Sequence, residues 1–515
     1  MADSALGSSY SFDSKKPSES VQCTTVQSIP DNVFKELEAF GLEVSEEGEV
    51  AWNERSNSHP KEWSHCKKVW NTAIVVFLEF FATLVSNAGT SAAAHAYINL
   101  GVSKTLAIFA FTSVYLLGQA LGGIVLPPLT EAFGRKSTFI VSTIVYAVCC
   151  VIVAASGSLA GIVAGRFIAG AVSAVPSVVA IGSIEDMWHA RHRIWVVQAW
   201  VGFSIVGLAL APVMAATLST SNTGWPWVFY FAAIVMGGTS ILCLTMSESR
   251  PSLILQRRLD LVMKSTGYRK LTYNNPDRPS SMREFATVSL TRPVRMFCTE
   301  PIVCMVSIMS ASVFATIYLL TETLTVVYGD FGLSSQQSAC IFIALGLGLI
   351  FVIPTRLCDQ YIAGKRQRNG EVLQPEDKLF GFYVAAPTYA IALWWFAWTI
   401  PPKSSAVPWP VSVVPLLLIG FATNEFDNTL SGYLTDAYTS FAASANAPLA
   451  FLRAMLSAVY PLFATQLYRG LGNNLATSLL AIIATLYCVA PFVLWKYGKK
   501  IRERSSFAEK SDSRA

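Results

Sequence analysis

The feature that most constrains this chain is a series of apolar stretches, each about as long as a helix must be to cross a bilayer. A hydrocarbon core about 30 Å thick takes about 20 residues at 1.5 Å each. Twelve such stretches occur, over residues 69–90, 105–128, 138–156, 159–182, 195–218, 227–246, 302–326, 338–355, 379–400, 411–433, 448–468 and 475–495. They are too long for core helices of a soluble domain, and they lack the alternation of barrel strands. The pattern predicts an all-α integral membrane protein with 12 transmembrane helices.

Composition agrees. Of 515 residues 53% are hydrophobic and only 14% charged, against about a quarter charged in a soluble domain. The mean hydropathy is +0.45. Charges too few to cover a soluble surface, and lying almost wholly outside the apolar stretches, exclude a soluble, disordered or nucleic-acid-binding chain. The ten cysteines give no disulfide framework, since none falls in a loop expected to face outside. The amino-terminal MADSALGSSYSFDSKK has no apolar core, so no cleavable signal peptide is expected.

Charge sets the orientation. With both termini in the cytoplasm, 33 of the 38 Lys and Arg fall on the cytoplasmic side. Lys104, Lys403 and Arg469 face out, and Arg166 and Arg453 lie within spans. A polar stretch between the sixth and seventh spans holds ten of the basic residues and divides the spans six and six. Such a layout marks transporters built from repeats, with the substrate site between the halves. The basic connections Glu131–Lys136 and Asp359–Arg368 echo one another in the two halves. The expected organisation is a disordered tail 1–68 with one short helix near 32–40, a six-helix bundle 69–246, a cytoplasmic loop 247–301, a second bundle 302–495 and a tail 496–515. The first tail carries 12 acids against 7 bases.

Several local patterns carry chemistry. The loop PPLTEAFGRKST (127–138) has Gly134 for a sharp reversal, Glu131 to meet a helix N-terminus, and Arg135 and Lys136 at the inner face. It is consistent with a latch between two helices or with a purely topogenic turn. Arg166 in span 4 lies about 10 Å from the outer face, where a guanidinium costs at least about 2.5–3.5 kcal/mol unless paired or wet. Helix rise puts Glu79 of span 1 about 15 Å and Arg166 about 22 Å from the inner ends. A pair between them is expected, functional or structural. In span 5, Gly207, Ala211 and Ala215 recur every fourth residue beside Pro212, a small-residue stripe that admits a neighbouring helix.

Arg166 with Gly170, the stripe Gly207, Ala211, Pro212, Ala215, Ala216, and the loop Glu131, Gly134, Arg135, Lys136 together resemble three signatures of the major facilitator superfamily. HPKEWSHCKKVW (59–70), IEDMW (184–188), GWPWVFY (224–230), RPVRMFCTEPIV (292–303), YLLTETLTVVY (318–328) and YPLFATQLYRGLG (460–472) narrow the likeness to the fungal twelve-span drug:proton antiporters, over residues 59–507. The resemblance implies two pseudo-symmetric six-helix bundles, the major facilitator fold. It implies that Glu131, Gly134, Arg135 and Lys136 brace a cytoplasmic gate, that Arg166 assists proton coupling, and that the span 5 stripe is a hinge and helix contact favouring antiport. The chain departs at Ala211, Ala215 and Ala216, where the signature has glycine, at Glu131, where much of the superfamily has Asp, and at Pro226, where Arg is usual between the tryptophans.

Low dielectric disfavours a charged carboxylate, which suits acids inside spans to proton carriage. Glu79, near the midplane, is the first candidate for proton coupling. Glu322 in span 7 either shares that role or lines the outer mouth. Asp427 and Arg453, each about 10 Å from the inner face, read as a structural ion pair, and Glu425 as a contributor to substrate choice. Asn87, Gln119, Gln198, Tyr318, Asn424 and Asn428 offer hydrogen-bonding groups to a substrate cavity. No metal-ligand spacing, nucleotide loop or nucleophile elbow is found, so no metal, cofactor or enzymatic activity is expected.

The expected function is proton-coupled export of small amphipathic organic molecules such as drugs, toxins or secondary metabolites, by alternating access. The expected setting is a plasma-membrane monomer whose partners are its substrate, protons and lipid, with no nucleic acid. Uptake of a nutrient, polyamine or organic acid is the alternative, with a non-transporting membrane sensor behind it.

Overall fold

The computed structural model describes residues 30–44, 49–53, 59–219, 224–268, 271, 291–370, 374–402, 407–505 and 507, without the side chains of residues 128, 131, 132, 190, 191, 367 and 440. These form two compact units, one within Met1–His59 and Ser252–Asn275, the other within Pro60–Pro251 and Pro276–Ala515.

In the smaller unit the chain is folded where the sequence reads as a disordered tail and a plain loop. Helix Asp31–Ala39 turns at Gly41, whose φ of 72° needs no Cβ, into a hairpin pairing Leu42–Val44 with Val50–Trp52. A second helix, Pro251–Thr266, comes from the central loop. Val33, Leu37, Leu42 and Val50 bury themselves with Leu255, Leu259, Val262 and Leu271. Residues of both segments thus share one core. The Arg258 guanidinium caps the Phe40 carbonyl and lies 5.4 Å from the Trp52 ring.

In the larger unit, twelve helices among the described residues are long and apolar enough to cross a membrane. They are span 1 His65–Leu100, 2 Lys104–Pro127, 3 Arg135–Ala155, 4 Leu159–Met187, 5 His192–Ser219, 6 Pro226–Leu244, 7 Pro301–Gly329, 8 Ser335–Arg366, 9 Phe380–Thr399, 10 Trp409–Ala437, 11 Ala442–Leu471 and 12 Asn473–Glu503. We call the end where span 1 begins the basic end and its opposite the Lys104 end.

Packing repeats between the halves. Span 1 lies against 5, 2 against 4 and 3 against 6; correspondingly 7 lies against 11, 8 against 10 and 9 against 12. Close approach is bought by glycine at equivalent places: a Cβ on Gly170 would strike the Tyr115 carbonyl, and one on Gly420 the Leu345 carbonyl. The halves meet through spans 2 and 11 and through spans 5 and 8. Span 7 is the most enclosed, with 83% of its apolar window buried, and span 6 the least, with 33%. Span 6 therefore turns residues such as Ile234 and Ile241 outward, as a lipid-facing helix does.

Three helices are irregular in ways that matter. Span 8 continues beyond residue 355: a short tight turn, Gly348–Phe351, passes into helix Val352–Arg368, whose first turn tolerates Pro354. Arg356, assigned to a loop by the sequence, is thereby buried. Spans 2 and 4 each contain one π-helical turn, Phe109–Ser113 and Val175–Val179, a distortion common at functional sites.

Candidate functional site

A narrow cleft between the halves holds about 30 Å³ of space that a water molecule can enter. Its walls come from Glu79, Thr83 and Ser86 of span 1, Gln119 and Gly123 of span 2, Ser177 of span 4, Phe314 and Tyr318 of span 7, and Phe451, Arg453 and Ser457 of span 11. In spans 2, 4 and 11 these residues lie toward the basic end. Ser177 sits in the π-helical turn beside Pro176, where the missing N–H loosens the ladder. Gln119 donates to it at 3.1 Å.

Glu79 is 3% exposed. Its Oε2 has no hydrogen-bond partner among the described residues. Across the cleft, Arg453 Nη1 donates to both Asp427 oxygens at 2.9 Å, and its guanidinium stands 4.9 Å from the Phe314 ring. The expected ion pair between spans 10 and 11 is present.

The expected pairing of Arg166 with Glu79 is not. Arg166, 1% exposed, donates through Nε to the Phe111 carbonyl and through Nη2 to the Ser86 carbonyl at 3.3 Å, and packs 4.3 Å from the Tyr115 ring. The π-helical turn holds Phe111 and shifts the backbone pairing there, giving the guanidinium a carbonyl to bind. Ser86 lies seven residues beyond Glu79, about two turns and 10 Å along span 1. Helix rise ranked the heights of these residues but left the direction of each side chain open.

Glu322 lies at the Lys104 end, where Lys104 Nζ meets its Oε2 at 3.0 Å and Gln466 donates to Thr105 at 3.2 Å. Both contacts join the first half to the second. Deeper, Ser113 donates to the Ala458 carbonyl at 2.6 Å, and Ser86 and Tyr318 share a hydrogen bond of 3.0 Å.

The residues offered for a substrate cavity divide. Gln119 and Tyr318 line the cleft. Gln198 of span 5 donates to Asn424 at 2.7 Å and accepts from Asn428, an amide cluster bridging the halves. Asn87 donates to the Leu208 carbonyl at 2.9 Å and accepts from Thr321 at 3.0 Å, leaving it fully buried. Glu425 is corrected outright: it lies inside the second half, paired with Arg356 and accepting from Thr355 at 2.5 Å and Thr429 at 3.0 Å. Arg356 also meets Asp359 at 3.2 Å. Gly381 leaves the room these charges occupy.

At the basic end Gly134, with φ 93°, turns span 2 into span 3. Arg135 is buried, reaching Asp186 at 3.3 Å and Thr130 at 2.7 Å, while Arg250 meets the same Asp186 at 3.4 Å. Glu248 accepts the backbone N–H groups of Arg135 and Lys136, an acid at a helix N-terminus, and Lys136 Nζ donates to the Leu244 carbonyl at 2.8 Å. Spans 2, 3, 4 and 6 are thus tied together. The Glu131 side chain lies outside the described residues. The second half has a counterpart in Arg366–Asp377 at 3.0 Å, Lys378–Asp436 at 2.6 Å and Arg502–Glu376 at 3.4 Å. Nearby, Tyr438 donates to Glu300 at 3.0 Å, and burial pushes the pKa of its hydroxyl up.

The span 5 stripe faces span 1. A Cβ on Gly207 would meet the Phe80 carbonyl and the Thr83 hydroxyl, and Thr83 donates to the Ser204 carbonyl at 3.1 Å. Ala211, Pro212, Ala215 and Ala216 are buried along the same helix. Sequence reading missed Asp186, Glu248, Arg356, Lys104 and Ser457. All but Ser457 carried a signal, as charges at span ends.

Two pseudo-symmetric bundles closed together at one end around a buried polar cleft define a membrane transporter. The chain belongs to the Major Facilitator Superfamily, whose model matches residues 73–447. It is 31% identical over 466 residues to the efflux pump radE of Floropilus chiversii, covering 88% of this chain and 84% of the pump. It is 30% identical over 477 residues to the multidrug transporter mdrA of Aspergillus fumigatus, covering 90% and 76%. Among solved structures, the proton:xylose symporter XylE bound to a bromodeoxyglucose superposes with a TM-score of 0.61 at 14% identity, over 84% of this chain and 96% of the symporter. At that identity the likeness concerns the fold alone.

Proposed function

We propose that this protein exports small amphipathic organic molecules, such as drugs, toxins or secondary metabolites, in exchange for protons. The observation that carries the reading is Glu79: a nearly dry carboxylate with one oxygen unpartnered, set in the cleft between the two halves. The names of the relatives, efflux pump and multidrug transporter, support export as the direction.

In this reading the basic end faces the cytoplasm, both termini lie there, and the membrane is the plasma membrane. The count of 33 basic residues out of 38 on that side supports the orientation. The contacts Lys104–Glu322 and Thr105–Gln466 then close the outer side, and the cleft belongs to the inward-facing state. Cargo enters from the cytoplasm and a proton leaves Glu79. Rocking about spans 2, 5, 8 and 11 exposes the site outside, where cargo leaves and a proton returns. Each ligand favours the facing state that binds it better, which couples cargo movement to the proton gradient. Arg135, Lys136, Gly134 and the neighbouring Glu131 brace the inner gate, and Gly207 to Ala216 form the surface on which spans 1 and 5 pivot. Arg166 holds spans 1, 2 and 4 in register beside the proton site. No covalent step is involved.

The test is accumulation of a fluorescent amphiphile in cells overexpressing the protein, with and without a protonophore. Expression is expected to lower accumulation and the protonophore to restore it. Accumulation unchanged by expression, or raised by it, would overturn export.

A further inference from the structure

We infer that the Lys104 end carries a binding site for a phosphate group, held between Lys104 of span 2 and Arg469 of span 11. A cavity of about 200 Å³ lies between the start of span 2 and the end of span 11. Its polar lining is Lys104, Thr105, Thr465, Gln466 and Arg469, with no carboxylate among the described residues that line it. It shares no residue with the cleft around Glu79.

The lining is rich in unused donors. Lys104 Nζ meets Glu322 Oε2 at 3.0 Å, one contact for an ammonium that has three N–H bonds. The exposed Arg469 guanidinium has no partner among the described residues. Gln466 donates to the Thr105 oxygen at 3.2 Å, which leaves the Thr105 O–H free to donate. Thr465 Oγ1 is enclosed and has no hydrogen-bond partner among the described residues. Two cations and two hydroxyls therefore want an acceptor-only group with several oxygens. A phosphate is such a group: two of its oxygens take the guanidinium fork and the others serve the ammonium and the hydroxyls. Two cations against the Glu322 carboxylate leave one positive charge, which the single negative charge of a phosphodiester balances.

Position favours a phospholipid as the source. Lys104 is the first residue of span 2 and Arg469 lies two residues before the end of span 11, which sets the cavity level with headgroups and not in hydrocarbon. Beside it in sequence, Leu106 and Phe109 of span 2 and Phe463 of span 11 are exposed, apolar surface on which acyl chains can lie. A free phosphate would use the polar part alone. Because each half contributes one cation, the group is gripped only while spans 2 and 11 are close at this end, and its binding favours that arrangement.

Melting the purified full chain in a neutral detergent tests this, with inorganic phosphate, dihexanoylphosphatidylglycerol or dihexanoylphosphatidylcholine added, each against chloride at equal ionic strength. Phosphatidylglycerol is expected to raise the melting temperature by about 2 °C or more, and phosphatidylcholine, which carries its own cation, to raise it far less. A larger rise with phosphatidylglycerol than with inorganic phosphate supports the site and assigns it to a lipid headgroup; equal rises support it and assign it to a free anion. Arg469→Gln and Lys104→Gln should each remove most of the rise, and the double variant no more than either, since one group bridges both. Lys499→Gln, an exposed cation at the basic end, should keep the rise. Arg469 is exposed, so its variant folds, and its melting without additive verifies this. Equal rises with the two lipids, no rise with either phosphatidylglycerol or inorganic phosphate, or a rise that survives Arg469→Gln would overturn the phosphate site. Transport in either direction is compatible with every one of these results, so the accumulation assay and this titration can fail independently.

Discussion

Lys104 and Glu322 meet at 3.0 Å across the boundary between the two halves, the lysine 37% exposed and the glutamate 3%. One partner is wet and the other dry, so the contact is reached by ions and protons from the Lys104 end while its acid remains in the protein. It is a natural latch for that end.

Glu322→Gln removes the charge while preserving shape, and is expected to shift the protein toward the state open at the Lys104 end. A cysteine placed at Thr465, which lines the pocket beside Lys104, should then react about twofold to fivefold faster with an impermeant thiol reagent. The modest size follows from the lysine's exposure, which screens the pair. The swap Lys104→Glu with Glu322→Lys should return the rate toward that of the unaltered protein. A swap no better than either single change would show that the two residues do not act on one another.

Packing at Gly207 makes a separate prediction. Its missing Cβ leaves space for the Phe80 carbonyl and Thr83 hydroxyl of span 1. Gly207→Ala should therefore separate spans 1 and 5 and destabilise the protein by about 1–3 kcal/mol, seen as a lowered melting temperature in detergent. Gly237→Ala on span 6, where nothing lies within 4 Å of the added carbon, should be neutral or slightly stabilising, since alanine is the better helix former. Equal losses in both would remove the argument for a close helix contact.

Much of this was legible from residues alone. Hydropathy read twelve spans because backbone groups in lipid must be satisfied within a helix, which forces long apolar runs. The pair Asp427–Arg453 was legible because consecutive antiparallel helices bring equal heights together. Arg166 and Glu79 were misjudged because height says nothing of azimuth, and a carbonyl freed by a π-helical turn, that of Phe111, leaves no trace in composition. Arg356 was hidden by Pro354, which reads as a helix end but sits in the first turn of a new helical segment. The small unit was missed because its core is shared by segments some two hundred residues apart.

Arg356 and Glu425 offer a sharper test of burial. With Glu425 fully enclosed, Arg356→Met would leave two carboxylates, Glu425 and Asp359, facing one another without their shared cation. Breaking a buried pair from one side costs about 3–5 kcal/mol, so this variant should melt far lower or fail to accumulate. Adding Glu425→Gln should recover most of the loss. No recovery would mean that Arg356 stabilises the second half through Asp359 or Thr429 instead.

Arg166→Lys separates charge from shape. Both side chains are cations, but the guanidinium reaches two carbonyls on two different helices at once, Phe111 on span 2 and Ser86 on span 1. An ammonium is a compact point donor with stronger hydration and no planar fork. If the field of a positive charge were all that mattered, the lysine variant would export nearly as well as the original. If the fork holds spans 1 and 2 against span 4, as the geometry indicates, the lysine must abandon one carbonyl, and a buried acceptor is left unsatisfied at about 1–3 kcal/mol. Export by Arg166→Lys is therefore expected to fall about tenfold or more, with a lowered melting temperature, and Arg166→Gln to be no worse than Arg166→Lys. Accumulation assays on both variants, normalised to the amount of folded protein, decide between the two accounts. A lysine variant with intact export would assign Arg166 to electrostatics alone.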